Sequence, residues 1–245
     1  MLDAKNLIKA SLDVGRDFWR APNEAVDRRA NPRPRSARAL VPIRSLSANH
    51  RGRILQHLLA LEPQDRYLRF GYQAKDAQIH RYVDSLNFER DEIFGIYNRK
   101  LDLIAMAHVA FARDVMCQSC AEFGVSVVSA SRGKGYGARL FERASMNAAN
   151  EGVHLMFIHA LTENAAMLKI ARNAGARVAH DGVESEAYLH LPPSTLDSRV
   201  TEILEEQVAQ ADYQIKVQVK QFWKFLACLQ DAHRDTVDDH GDTPP

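Results

Sequence analysis

A glycine-rich segment in the middle of the chain has the residue types of a phosphate-binding loop. Residues 131–138 have the sequence SRGKGYGA and lie between a strand-like apolar run and a helical pattern. At the start of a helix several backbone N–H groups lack partners, and with the helix dipole they favour a phosphate or pyrophosphate. Glycines let a ligand approach the backbone and permit positive φ angles. An ordinary glycine-rich turn is the competing interpretation.

The spacing within this loop excludes two nucleotide-binding motifs. A Walker loop requires Ser or Thr directly after its Gly-Lys pair, but Lys134 is followed by Gly135. A dinucleotide fingerprint requires glycine at the end of G-x-G-x-x-G, and the pattern that starts at Gly135 has Leu140 there. The loop is therefore predicted to be neither a Walker loop nor a dinucleotide-binding fingerprint.

A few polar residues outside the loop could also do chemistry. Glu122 lies inside the apolar run CAEFGVSVV, where an acid is costly to bury, so it indicates either a functional group or an ion pair with an arginine. His108 lies in the preceding apolar run, either in the same cleft or as a hydrogen-bonded core residue. Cys117 and Cys120 lack a second ligand pair at zinc spacing, so we predict no metal site.

The composition excludes several classes of protein. The chain has 245 residues, and its 32 Lys and Arg residues nearly balance 31 Asp and Glu residues, so nucleic acid is not an expected partner. Three cysteines are too few for a disulfide framework, which indicates a reducing compartment. No apolar run reaches the ~18 residues of a membrane span, and Asp3, Asp13 and Asp17 interrupt any signal-peptide core. We therefore expect a soluble, cytoplasmic protein.

Residues 40–192 have alternating strand and helix patterns that predict one domain. Strands are predicted near 40–46, 92–98, 101–112, 120–128 and 153–161 and within 176–191, and helices near 47–61, 64–70, 76–86, 138–150 and 164–174. Before this domain, residues 1–39 predict a short helix and a basic, proline-containing linker. After it, residues 193–230 predict one long helix and residues 231–245 an acidic, disordered tail.

Two segments resemble one known family. Arg132, Gly135 and Gly137 form R-x-x-G-x-G, which resembles the acetyl-CoA pyrophosphate loop of the GNAT superfamily of N-acetyltransferases. The later segment NAAMLKIARNAG (164–175) is similar to the second cofactor segment of that family, and the order of elements over residues 40–192 is also similar. The resemblance implies an α/β (α+β) fold with a mixed, mostly antiparallel central sheet flanked by helices, here with an N-terminal arm and a long C-terminal helix.

The resemblance implies that acetyl-CoA is the co-substrate and that no metal takes part. Its pyrophosphate would be held by the loop, chiefly by backbone N–H groups; the residues concerned are Arg132, Gly133, Lys134, Gly135, Tyr136, Gly137 and Ala138. Backbone groups of Ser126, Val127 and Val128, at the end of the central strand, would pair with the pantetheine arm. One N–H of that strand would polarise the thioester carbonyl. Asn164 would contact the cofactor near its thiol end.

The resemblance also implies a general base at Glu122, because protein-acetylating members have a glutamate at the corresponding place. Acyl transfer needs a neutral amine, whereas an alkyl ammonium has a pKa near 10.4, so a base is useful. The implied acceptor is a protein lysine or a small-molecule amine, which attacks acetyl-CoA directly. Arg66, Arg69 and Phe70 resemble the helical segment that lines the acceptor side, where they either bind a carboxylate-bearing acceptor or simply pack and pair.

The sequence departs from the family at its usual general acid. The family's tyrosine is Ala171 here and the phenylalanine after the glycine is Ala176, so Tyr136, Tyr188 or water would protonate the leaving thiolate. This departure keeps an alternative open, a catalytically weak acyl-CoA-binding protein with a regulatory or scaffold role. The long C-terminal helix is predicted to bury its apolar stripe either on the domain or in a homodimer.

Overall fold

The structure is a computed structural model that describes residues 41–114 and 117–238. The chain divides into two units, residues 1–39 and residues 40–245. The predicted N-terminal helix and basic linker lie outside the described residues, as does the end of the predicted acidic tail.

Seven strands and six helices follow one another in the described residues. Their bounds are β1 (Arg44–Ser45), α1 (Arg51–Leu59), α2 (Pro63–Phe70), α3 (Asp76–Ser85), β2 (Glu92–Tyr97), β3 (Leu103–Asp114), β4 (Cys117–Val127), α4 (Tyr136–Asn150), β5 (Leu155–Leu161), α5 (Ala165–Asn173), β6 (Arg177–Asp181), β7 (Glu184–His190) and α6 (Leu196–Asp238). Helix α2 shows how the sequence sets these bounds: a proline begins its first turn, and Gly71, with a φ of 77°, ends it in the left-handed conformation.

The strands form one sheet in the order β1-β2-β3-β4-β5-β7-β6. Within it, β4 and β5 are parallel, and the other neighbouring pairs of described strands are antiparallel. Helices cover both faces of this sheet. The predicted fold class, a mixed and mostly antiparallel sheet flanked by helices, is therefore confirmed.

Side chains alternate between two faces of the sheet, and each face has its own apolar cluster. On the α4 face, α4 and α5 pack on the central strands, and the rings of Phe141 and Phe123 meet edge to face at 4.9 Å. On the α1 face, the helices α1 and α3 contribute Ile54 and Val83, which pack with Met106 of β3. The residues of β4 therefore divide between the faces, with Phe123 on the α4 face and its neighbours Glu122 and Gly124 on the α1 face.

Helix α6 docks on the domain through a buried arginine of α4. The Arg143 side chain is 3% exposed, and its guanidinium forms ion pairs with Glu202 at 3.3 Å and Glu206 at 3.5 Å. Asn147 donates a further hydrogen bond to Glu202 at 2.8 Å. Because a buried charge without a partner is strongly destabilising, these contacts fix α6 against α4.

The described part of the apolar stripe of α6 is not buried on the domain, which leaves the homodimer as the open alternative of the prediction. Five apolar residues of α6 are between 41% and 61% exposed, namely Val200, Ile203, Leu204, Val208 and Ile215. The docked side of the helix instead contains Glu202, Glu206 and the buried Ala209, because Arg143 requires carboxylates there. The helix also continues to Asp238, so the first part of the predicted disordered tail is helical.

Two observations concern the environment of the chain. Cys120 is disulfide-bonded, so the cysteine count gives no support to a reducing compartment. Among the helices of residues 41–114 and 117–238, none has the length and apolar character that a membrane crossing requires.

Candidate active site

The parallel pairing between β4 and β5 stops in the middle of both strands. Their register joins Cys120 to Leu155 and ends where Glu122 meets Phe157. Beyond that pair β4 continues to Val127, while β5 pairs with β7 along its whole length. The two strands therefore separate, and the backbone edge of β4 after Glu122 is open to hydrogen bonding with a ligand.

The glycine-rich loop follows directly from this open end of β4. Gly133 and Gly135 have φ angles of +74° and +79°, a left-handed conformation that other residues rarely adopt. A Cβ added at either position would meet no atom within 4 Å, so there is open space beside the loop at both glycines. The N–H of Arg139 donates to the carbonyl of Gly135 at 3.1 Å, which leaves the N–H groups of residues 136–138 outside the helical ladder.

Two loop residues connect the loop to neighbouring helices. The Arg132 guanidinium forms an ion pair with Asp65 of α2, a carboxylate that is only 7% exposed. At Gly137 an added Cβ would lie 3.2 Å from Cδ1 of Ile170, so α4 begins close against α5. Lys134, between them, is exposed. The side chain of Arg132 therefore holds the loop against α2, and the backbone remains the part of the loop that faces open space.

A buried histidine that sequence reasoning missed fixes the open end of β4. His57 of α1 donates from Nδ1 to the carbonyl of Leu103 at 2.9 Å, and its Nε2 accepts from Ser126 Oγ at 2.8 Å. Burial lowers the pKa of His57 to about 4, and the charge of Arg69 acts in the same direction. The N–H of Val128 then donates to the carbonyl of Ile104 at 3.0 Å, which continues the pairing of this end of the chain segment with β3.

Glu122 lies on the α1 face of β4 and is exposed. Among the described residues no arginine or lysine forms an ion pair with it, and its role as a general base stays a prediction. Its neighbour on that face is Tyr82 of α3: burial raises the pKa of Tyr82, Arg69 lowers it, and the negative charges of Glu122 and Asp91 add to the rise. Glu122 is therefore a solvent-accessible carboxylate close to a half-buried phenol.

A chain of hydrogen bonds runs from a buried carboxylate to this phenol. Asp91 Oδ2 accepts from His108 Nε2 at 3.2 Å, and His108 Nδ1 accepts from the Tyr82 hydroxyl at 2.9 Å. Although burial raises the pKa of Asp91, hydrogen bonds from Arg90 and His108 outweigh it and hold the pKa at about 2. His108 thus has a partner on both ring nitrogens, the arrangement of a satisfied core histidine, and it adjoins the cleft through Tyr82.

This series of hydrogen bonds, from Asp91 through His108 and Tyr82, ends at Arg69 of α2. Its Nη2 donates to the Tyr82 hydroxyl at 3.0 Å. A Cβ added at Gly124 would lie 2.6 Å from Cζ and both terminal nitrogens of Arg69, so the guanidinium rests directly on the glycine backbone. Arg66, one turn earlier, donates to the carbonyls of Leu59 at 2.7 Å and Leu61 at 3.1 Å. The two arginines of α2 therefore differ: Arg66 holds the end of α1, and Arg69 reaches the cleft.

Comparison with known proteins agrees with this geometry. Residues 55–176 match the sequence profile described as the acetyltransferase (GNAT) family. The chain belongs to the GNAT family. It is therefore an acyltransferase by membership, and the matched range includes the glycine-rich loop, Glu122 and helix α5.

Two solved structures of low sequence identity share the GNAT fold of this chain. The GNAT domain of S. lividans PAT has a TM-score of 0.53 and 16% identity, covering 62% of this chain and 95% of that chain. A candidate acetyltransferase of Acinetobacter baylyi ADP1 has a TM-score of 0.51 and 16% identity, covering 61% and 92%. No curated protein matches the sequence significantly.

Ala171 and the two tyrosines that could replace the usual general acid have different surroundings. Ala171 is completely buried in the apolar cluster of the α4 face. Tyr136 packs against the same cluster, and the Tyr188 hydroxyl donates to Glu186, which with burial raises the pKa of Tyr188. A role of either tyrosine as the general acid stays a prediction.

The predicted second cofactor segment has structural roles of its own. Asn164 begins helix α5, where its Oδ1 accepts from the N–H of Met167 at 3.1 Å. Its Nδ2 donates to the carbonyl of Leu68 at 3.4 Å, which joins α5 to α2. A contact between Asn164 and the cofactor stays a prediction. Among the described residues no group of three or more His, Cys, Asp or Glu side chains is placed to hold a metal ion.

We predict that His57 makes folding sensitive to acid. Its pKa is about 4 in the folded state against 6.5 in an unfolded chain, so between these values only the unfolded state binds the proton. Stability therefore rises with pH through this window, and lowering the pH from 7 to 4 should cost on the order of 3 kcal/mol through this residue. Urea unfolding at both pH values should show that His57→Gln loses less free energy of unfolding between pH 7 and pH 4 than the wild type does. The exposed His80→Gln variant should retain the loss of the wild type, and an unchanged acid slope in His57→Gln would contradict the assignment.

Proposed function

We propose that the protein transfers an acetyl group from acetyl-CoA to an amine acceptor. The observation that carries this proposal is the separation of β4 from β5 directly before a glycine-rich loop at the start of a helix. An open strand edge suits an extended amide-containing arm, and free N–H groups at a helix start suit a pyrophosphate. Family membership supports the same reaction class.

The open space beside the loop at Gly133 and Gly135 fits the proposed co-substrate. The backbone of residues 133–138 would hold the pyrophosphate, and the backbone of Ser126, Val127 and Val128 would pair with the pantetheine arm. The Ser126 side chain is already bonded to His57, and the N–H of Val128 donates to the carbonyl of Ile104 on β3. Because hydrogen-bonded pairs alternate along an antiparallel ladder, Val127 is the residue of the three whose backbone groups face the open edge. Acetyl-CoA supplies a thioester whose carbonyl carbon bonds to the amine while the C–S bond breaks. A β4 N–H that donates to the carbonyl oxygen would stabilise the developing charge.

Glu122 is the proposed general base. Its carboxylate is exposed at the point where the strands separate, and among the described residues no cation is paired with it, so it is available to take a proton from an incoming ammonium. A thiol has a pKa near 8.5, so the thiolate leaves readily and water can protonate it. A dedicated tyrosine acid is then unnecessary, which accounts for the buried alanine at position 171.

A second copy of the chain is the proposed partner of the exposed apolar side of α6. Val200, Leu204, Val208 and Ile215 are exposed on this helix, and the three- and four-residue spacing continues in the sequence to Leu229. Exposing such an apolar stripe to water is unfavourable, and its spacing is that of the apolar positions at which two helices pack in a coiled coil. A homodimer through α6 would cover it in both copies.

We predict that acetyl-CoA binding depends on the left-handed Gly135. At a ligand concentration 100 times Kd, binding should stabilise the protein by about 2.7 kcal/mol, a rise in Tm of roughly 5–10 °C. Gly135→Ala should abolish the rise, because the Cβ and the altered φ disturb the N–H groups that face the ligand. Gly152→Ala is the matched control, since Gly152 has a similar φ of +83° at the other end of α4. If Gly135→Ala keeps the wild-type rise, the loop does not hold the cofactor.

We predict that Glu122→Gln lowers the acetyl-transfer rate by about 10²- to 10⁴-fold, the usual effect of losing a general base. Acetyl-CoA binding and Tm should barely change, because the side chain is exposed. Activity should recover partly at high pH, where more of the amine is neutral. Glu142→Gln, an exposed acid on α4, serves as the control. Pre-steady-state rates measured across pH test this, and full activity in folded Glu122→Gln would refute the role.

We predict that Leu204→Asp converts a dimer into a monomer, because a charge in the apolar stripe opposes its burial. Light scattering gives the mass directly. Val183→Asp is the control, since Val183 is also apolar and 69% exposed but lies in the turn between β6 and β7. A wild-type protein with the mass of one chain would exclude the homodimer.

A further inference from the structure

Arg69 lies beside the proposed base Glu122 on the α1 face of β4. Its guanidinium rests on the backbone of Gly124, two residues after Glu122 on the same face of β4. Strand residues rise by about 3.3 Å each, so the base and this cation are attached to β4 roughly 7 Å apart. β4 has also separated from β5 at this level. An amine that reaches Glu122 is therefore close to a fixed positive charge.

The guanidinium of Arg69 has unused binding capacity, unlike that of Arg66. Arg66 forms an ion pair with Asp76 at 2.6 Å and donates to three carbonyls as well. Arg69 donates one hydrogen bond, to Tyr82, and its Nε is buried without a partner in the described part of the chain. Among those residues no carboxylate lies within ion-pair distance of Arg69. Its charge is thus left for a group that the described chain does not contain.

Arg69 is also held in place before any ligand arrives. The Tyr82 hydroxyl accepts its hydrogen bond at 3.0 Å, and Tyr82 is itself fixed through His108 to the buried Asp91. The rings of Phe70 and Tyr82 lie 5.4 Å and 5.7 Å from its Cζ. A planar guanidinium that is already oriented loses little freedom on binding a carboxylate, for which its fork of donors is well suited.

Along this face of β4, the carboxylate of Glu122 is thus followed by the guanidinium of Arg69, which comes from α2 and rests on Gly124. We infer that the acceptor is a small amino carboxylic acid, whose amine lies at Glu122 and whose carboxylate binds Arg69. This inference rests on the proposed acetyl transfer and names its substrate class. An acceptor with only positive charge, such as a lysine side chain or a polyamine, gains nothing from Arg69 and is repelled by it.

Matched pairs of acceptors test the substrate class. Each of the twenty common α-amino acids is compared with its α-amide, which replaces the carboxylate by a neutral group, and a diamine, spermidine and a lysine peptide complete the panel. We expect at least one amino acid to have a kcat/KM about 10- to 100-fold above that of its amide. Amine ionisation alone would favour the amide, because its amine has a lower pKa and a larger share of it is neutral. A preference for the amino acid would therefore not come from ionisation of the amine.

Three variants assign the preference to Arg69. Arg69→Gln should raise KM for the preferred amino acid by about 10- to 100-fold and leave KM for its amide nearly unchanged. Gly124→Ala should reduce the preference in the same way, because the new Cβ displaces the guanidinium. Arg66→Gln, on the same helix, should lower Tm and keep the preference. Calorimetry with the N-acetyl amino acid and its amide gives a readout independent of turnover, and only the acid should bind more weakly to Arg69→Gln.

Failure of this inference differs from failure of the proposed function. If acetyl-CoA binds and the panel shows equal use of acids and amides, turnover of carboxylate-free amines alone, or no turnover of any amino acid, the substrate class is overturned. A preference that survives Arg69→Gln overturns the role of Arg69. If acetyl-CoA does not raise Tm in the wild type, the acetyltransferase proposal itself fails.

Discussion

The site depends on the loss of one strand pairing. β5 is paired with β7 over its whole length, and it can accompany β4 only as far as Glu122 and Phe157. Beyond this point the edge of β4 would be a liability in an ordinary sheet, because open backbone groups attract other strands. Here the edge leads straight into the glycine loop, so backbone donors continue from an extended strand to a helix start. One separation thus provides both the cleft and the backbone that lines it.

The end of β4 that is not paired with β5 is held by polar side chains on the α1 face of the sheet. His57 holds Ser126, and the chain from Asp91 through His108 and Tyr82 holds Arg69 over Gly124. Buried polar groups are costly unless each finds a partner, so such a network tolerates one arrangement far better than any other. Both faces also have apolar packing, such as that of Phe123 against Phe141 on the α4 face. The polar network of the α1 face is the one that contacts the open end of β4 directly.

The sequence predicted the loop, the strands and the class of fold because their signals are local. Glycine spacing, apolar alternation and helix ends depend on neighbours along the chain, and the predicted strand at 120–128 overlaps β4. The roles of Arg66 and Arg69 could not be separated in this way, since both lie in one helical segment and only tertiary contacts distinguish them. His57 was missed because a single histidine in an amphipathic helix has no motif. The side of α6 that docks on the domain could not be predicted from the sequence, because the requirement of Arg143 for two carboxylates decides it.

Helix α2 shows how a short element can set the geometry of the whole cleft. Near its start Asp65 holds Arg132 of the glycine loop, and near its end the carbonyl of Leu68 accepts from Asn164 at the start of α5. Between these contacts and Gly71, Arg69 reaches across to Gly124 of β4. The proposed cofactor loop and the proposed acceptor site are therefore attached to the same two turns of helix.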